Sequence, residues 1–239
     1  MTATTVAKRV ARPRLRRGTL TREMIVSASL RLLDSGGIAG FSMPKLGRAL
    51  GTDPTAVYRH FASKDDLVLA IADRLIEESS AGLEPSDCWM DTLTESARRL
   101  RSTYLAHPAA ASLSACRTTQ GPAEMRIVNI IIGAVLQAGF EDAEAARVYR
   151  AIGDFALYWA GCEAAFLALD ERLQKKDIGA WTSAYLAVDR ADYPHIWQIR
   201  MDLPGVDDDE IFETMLSFVI GGLAQHAPHP CGCAAHATG

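Results

Sequence analysis

Along the first eighty positions, apolar residues recur in short helical stripes broken by glycine and proline. Ile25, Ala28, Leu32 and Leu33 follow Thr21 at a spacing that predicts a first helix. Gly36-Gly37 is expected to end it, because glycine takes the left-handed conformation that closes a helix. Ser42 is then a good N-cap for a second helix carrying Met43, Leu46, Ala49 and Leu50, which Gly51 breaks after two turns. Asp53-Pro54 restarts the chain as a third helix, with proline where its missing N–H costs nothing. Val57 and Phe61 face inward, and Ser63-Lys64-Asp65-Asp66 caps a fourth, long helix through Leu67, Val68, Ile71 and Leu75.

Beyond Pro85 every long segment also reads helical. Helices are predicted over 87–106, 122–138, 141–170, 178–190 and 207–225, with irregular chain near Thr118-Gly121 and Tyr193-Gly205. No alternating strand pattern, hairpin signal or internal repeat appears. The predicted fold is therefore all-α: an N-terminal three-helix helix-turn-helix domain joined to a larger helical bundle. The expected divisions are a basic arm at 1–18, the helix-turn-helix domain at 19–79 (motif 42–61), the bundle at 80–226 and a tail at 227–239.

Charge is divided unevenly along the 239 residues. Residues 1–64 hold twelve basic and three acidic side chains, for +9, whereas the remaining 175 carry −13. A basic segment on an otherwise acidic chain attracts a polyanion, with nucleic acid the first candidate; a merely solubilising basic tail is the plainer alternative. The longest apolar runs fall short of the roughly 18 residues that a spanning helix needs. The basic start leads into an amphipathic stretch with Arg22, Glu23 and Arg31, so a secretory signal is not expected and a cytoplasmic protein is. Five irregularly spaced cysteines make a poor disulfide framework and fit a reducing compartment.

Gly47 lies where the second and third helices should cross, Gly51 supplies the turn and Val57 closes the small core. The run from Gly51-Thr52-Asp53-Pro54 through Tyr58-Arg59-His60-Phe61 to Ser63-Lys64-Asp65-Asp66-Leu67 resembles the recognition-helix signature of the TetR family of bacterial transcriptional regulators. His107-Pro108, Ala138-Gly139-Phe140, Glu144-Ala145-Ala146-Arg147 and Asp209-Glu210-Ile211-Phe212-Glu213 resemble more loosely the tetracycline-repressor-like class of C-terminal domains. The resemblance implies a cytoplasmic, nucleoid-associated homodimer, built from the 141–170 and 207–225 helices, that binds a palindromic operator in double-stranded DNA. It also implies a cavity for a small, mainly apolar effector.

On that reading the third helix enters a major groove with Pro54, Thr55 and Ala56 nearest the bases. Arg59 reaches guanine or phosphate, and Tyr58, His60 and Lys64 grip phosphates. Ser42 and Lys45 add backbone contacts at a helix N-terminus, and Arg16 and Arg17 reach along a neighbouring groove. In the bundle, Phe155, Trp159, Cys162 and Phe166 form one aromatic face of a helix. That face is either ordinary core and dimer contact or, with Trp89, His107 and Trp181, a cavity lining. The tail holds His226, His229, Cys231, Cys233 and His236, donors suited to zinc or copper(I), at spacings that match no zinc motif.

No nucleophile elbow, phosphate loop or metalloprotease motif is present, so an enzyme is not expected and no cofactor is implied. A ligand-responsive repressor is the leading expectation. The alternatives are a metal sensor using the tail, and a DNA-organising protein without an effector.

Overall fold

The structure is a computed structural model that describes residues 20–229 and 231. Among these residues every regular element is helical. α1 (Arg22–Gly40) starts at Thr21, whose hydroxyl accepts from the Met24 amide, and bends at Gly37, where φ is +59°. α2 (Met43–Leu50) is capped by Ser42 and closed by Gly51 in the left-handed region. The third helix, expected to be α-helical, is a six-residue 3-10 turn, Pro54–Arg59. It is only two turns long, and i→i+3 bonds such as Ala56 N–H to the Asp53 carbonyl (2.9 Å) draw it tighter. α3 (Lys64–Ser79) follows, with the Ser63 hydroxyl accepting from the Asp66 amide.

The bundle comprises α4 (Trp89–Ala106), α5 (Pro108–Ser114), α6 (Pro122–Gln137), α7 (Asp142–Leu167), α8 (Glu171–Leu186), α9 (Pro194–Ile199) and α10 (Asp208–His226). α5 and α9 were not expected. α8 lies earlier than the predicted 178–190, because Asp170 caps it at the Arg172 amide and a Glu171–Lys175 pair holds its first turn.

Two cores support these helices. The lower one joins Ile25, Leu33, Leu46, Val57, Phe61, Leu67 and Ile71 to the small faces of α5 and α7 (Ala109, Ala110, Ala111, Ala160 and Ala164). The short α5 is thus a wedge of alanines that seats the first three helices on the bundle, where close backbone approach requires small side chains. The upper core gathers Trp89, Leu93, Val135, Phe140, Ile152, Phe212 and Leu216. Arg101, only 11% exposed, pins α4 to α7 through Glu163 (2.7 Å) and to α10 through Asp209 (2.6 Å). None of the described helices is long and apolar enough to cross a membrane on its own.

The cysteines depart from expectation. Cys88 and Cys231 form a disulfide across 143 positions of sequence. They meet because the chain after α10 folds back over the α6–α7 turn. There the His229 amide donates to the Ala138 carbonyl (2.9 Å), and the Trp89 indole N–H donates to the His229 carbonyl (3.3 Å).

Candidate nucleic-acid interface and effector cavity

The helix-turn-helix is assembled from its glycines outward. A Cβ on Gly47 would stand 2.9 Å from the Pro54 ring, so only glycine lets α2 and the 3-10 turn cross this closely. Asp53 then caps the turn: one carboxylate oxygen accepts from the Thr55 amide (2.8 Å) and the Thr55 hydroxyl (2.7 Å). These bonds, first the one from the hydroxyl, hold the Asp53 carboxyl below its ordinary range and keep it ionised.

Val57 is buried, which turns its neighbours Thr55, Tyr58 and Arg59 to solvent; Tyr58 is 47% exposed. Pro54, Ala56 and His60 are half-buried beside them. The end of the turn is fastened by a residue that sequence reasoning did not single out. Arg22 donates to the His60 carbonyl and lies 4.1 Å from the centre of the Phe61 ring. Lys64 stands 5.2 Å over the Phe41 ring, and Lys45 donates to the Ala39 carbonyl (2.8 Å) while Ser42 caps its helix. Tyr58 and Arg59 thus stand on the exposed turn and His60 closes it, while Ser42 and Lys45 sit at the start of α2 and Lys64 at the start of α3. Arg16 and Arg17 lie outside the described residues.

A second feature lies between the two cores. A largely apolar cavity of about 100 Å³ is walled by α3, α4, α6 and α7, with Ile76, Leu93, Ile127, Ile131, Ile152 and Gly153 among its lining. Its polar groups include Tyr149, Arg117 and Glu124. Burial pushes the Tyr149 phenol above its ordinary pKa, with a smaller contribution from Glu124. Arg117 belongs to the segment joining α5 to α6 and Glu124 to the first turn of α6, and both are engaged there. Arg117 makes a two-point ion pair with Asp65 in the first turn of α3 (2.9 and 2.8 Å). Glu124 accepts from the amides of Thr119 and Gln120 (2.7 Å each). Asp73 of α3 accepts in turn from the Ala123 and Glu124 amides (3.3 and 3.0 Å), capping α6.

Of the seven residues expected to line a cavity, none lines this one and three border another. Trp89 is sealed in the upper core. Phe155 and Trp159 pack around Phe212 of α10, with centroids 6.5 and 6.3 Å from its ring. Cys162, Phe166 and Trp181 border an open groove between α7, α8 and α10. His107 closes α4 and faces two carboxylates, Asp34 of α1 (2.9 Å) and Glu78 of α3 (3.4 Å). The seven therefore do not converge. The cue to the cavity between α3, α4, α6 and α7 is a gap in the pattern: Gly153 interrupts the inward face of α7, and a Cβ there would meet nothing within 4 Å.

In the tail, Cys231 is joined to Cys88, His226 ends α10, and Cys233 and His236 lie outside the described residues. Among the described residues, no three His, Cys, Asp or Glu side chains converge as a metal site.

Residues 25–71 match the model for tetR-family bacterial regulatory proteins, and residues 81–227 match that for the tetracyclin repressor-like C-terminal domain. An HTH-type transcriptional regulator of Saccharopolyspora erythraea is 27% identical over 208 residues, covering 87% of this chain and 86% of that protein. A solved TetR from Streptomyces coelicolor is 27% identical with a TM-score of 0.71, over 87% of this chain and 99% of the other. BioQ, solved with its natural double-stranded DNA operator, is 28% identical with a TM-score of 0.57, over 68% of this chain and 95% of the other.

Proposed function

The chain belongs to the tetR family of bacterial regulatory proteins, and from that premise we propose that it is a cytoplasmic repressor released from a palindromic operator by a small, mainly apolar molecule. The observation that carries this reading is one connected piece of structure. The exposed turn Pro54–Arg59 leads directly into α3, and α3 is itself a wall of the apolar cavity.

Residues 19–79 act as the reading head and residues 80–226 as the sensing and dimerising body. Thr55 and Ala56 face base edges, Arg59 reaches further along the groove, and Tyr58, His60, Lys64, Lys45 and Ser42 hold phosphates. Arg16 and Arg17, outside the described residues, add further DNA contacts. The Thr55 hydroxyl spends its proton on Asp53, so it meets DNA as an acceptor.

The body dimerises through α7 and α10. Tyr158 and Phe218 are 53% and 66% exposed on those helices, large apolar areas that a second copy would cover. The two-fold axis places two reading heads on one face of the duplex, separated by one or more helical turns.

Release follows from volume. A ligand site ordinarily occupies about 300 Å³ or more, so an occupant of that size displaces the walls of a 100 Å³ cavity. One of those walls is α3, and moving α3 carries the reading turn with it. An occupant that favours the displaced arrangement about 100-fold supplies roughly 2.7 kcal/mol of coupling. No catalytic step is assigned; the chemistry is binding and release.

Genomic pull-down with sequencing tests the proposal. The purified protein should enrich a small set of inverted repeats upstream of genes, and ligands related to those genes' products should release it. Uniform recovery of genomic DNA, indifferent to every small molecule tried, would contradict a ligand-released repressor.

A further inference from the structure

Arg117 occupies two sites at once. Arg117 is among the residues lining the cavity, and its guanidinium, on a side chain 41% exposed, holds Asp65 at two points in the first turn of α3. Asp65 follows Lys64, a proposed phosphate contact, and lies five positions after His60. A guanidinium has donors and no acceptors, so whatever polar group a cavity occupant turns toward Arg117 must accept hydrogen bonds, and a planar anion suits the fork best.

Glu124 also lines the cavity, but it is committed to the 119–120 amides. An anion beside Glu124 is tolerated only if Arg117 turns to neutralise it. Arg117 can do so only by loosening its hold on Asp65.

Resting on the reading of this cavity as the effector site, we propose that the effector is an apolar molecule ending in an anionic oxygen group, and that it takes Arg117 from Asp65. Ligand recognition and loss of the α3 anchor are then one event. The other stitches between α3 and this segment, from Asp73 to the α6 amides, do not touch Arg117 and keep the bundle intact while the head shifts.

Two fluorescent dyes separate the ideas: 8-anilinonaphthalene-1-sulfonate, apolar with one anionic group, and N-phenyl-1-naphthylamine, its uncharged counterpart. Gly153→Leu places a side chain on the cavity wall at a position where a Cβ meets nothing within 4 Å, and reports whether either dye sits there. Arg117→Gln should weaken the sulfonate about tenfold or more, the scale of a lost charged hydrogen bond, and leave the neutral dye within about twofold. Asp65→Asn removes the competitor and should tighten the sulfonate about threefold, the scale of an exposed ion pair. A purely structural Arg117–Asp65 bridge would move both variants in the same direction.

If both dyes respond to Gly153→Leu but Arg117→Gln affects them equally, or Asp65→Asn fails to tighten the sulfonate, the anionic-group proposal is overturned while the cavity stands. If neither dye responds to Gly153→Leu, the cavity reading itself falls, and this inference with it.

Discussion

At Gly47 the space available is smaller than a methyl group, because the Pro54 ring stands 2.9 Å from where a Cβ would sit. Gly47→Ala must push the 3-10 turn off α2, an overpacking cost of about 1–3 kcal/mol. Operator affinity should fall with thermal stability, both measurable on one preparation. Lys64→Ala is a different kind of change. It removes one phosphate contact, so affinity should drop for every DNA sequence and the slope of log K against log salt should become shallower by about one unit.

His107 gives a pH signature. Burial opposes its charged form, but Asp34 and then Glu78 outweigh burial and raise its pKa above the ordinary value. A raised histidine adds stability that is complete below its unfolded pKa, about 6.5. That stability is lost as pH rises through the higher folded value. The gap in melting temperature between the wild type and His107→Gln should therefore be widest below about pH 6.5 and close on the alkaline side. A gap that is constant or widens with pH would remove the histidine from this role.

At the scale of elements, the helices with strong apolar stripes were legible in the sequence. α4, α6, α7 and α10 lie within a few residues of their expected spans. α5 was not legible, because Pro108-Ala-Ala-Ala-Ser-Leu-Ser is one short alanine-rich run with no stripe to read. The charged start of α8 hid its true beginning for the same reason. The aromatic stripe on α7 was real, but periodicity shows which positions are filled, whereas a cavity is made where filling is absent. Phe155 and Trp159 were filling against Phe212, and the opening lay beside Gly153.

Two glycines, one beside the cavity and one at the start of α6, should respond with opposite signs. Gly153→Ala adds a methyl to open space in mid-helix and should stabilise the protein by about 0.5–1 kcal/mol. Gly121→Ala would drive a methyl into the Asp73 carboxylate that caps α6, and should destabilise by about 1–3 kcal/mol. Thermal denaturation of the two variants checks both.

For the whole molecule, the split between a basic first quarter and an acidic remainder was visible in the sequence, and so was the helix-turn-helix. The residues that connect cavity to reading head were not. Arg117 meets Asp65, and Asp73 meets the Glu124 amide, each across about fifty positions, and no local pattern announces such pairings. The disulfide between Cys88 and Cys231 was hidden for the same reason, at still greater separation.

Dimerisation is testable at this scale. Phe218→Glu places a charge in the proposed contact and should yield monomers by sedimentation, with operator affinity reduced on full palindromes far more than on half-sites. The account stands or falls most directly on hydroxyl-radical footprinting of the protein on a fragment recovered from its own genome. It predicts paired protections on one face of the duplex, related by a two-fold axis and abolished together by Tyr58→Ala with Lys64→Ala. A footprint without that symmetry, or one that the double substitution leaves unchanged, would show that the turn from Pro54 to Arg59 does not read DNA.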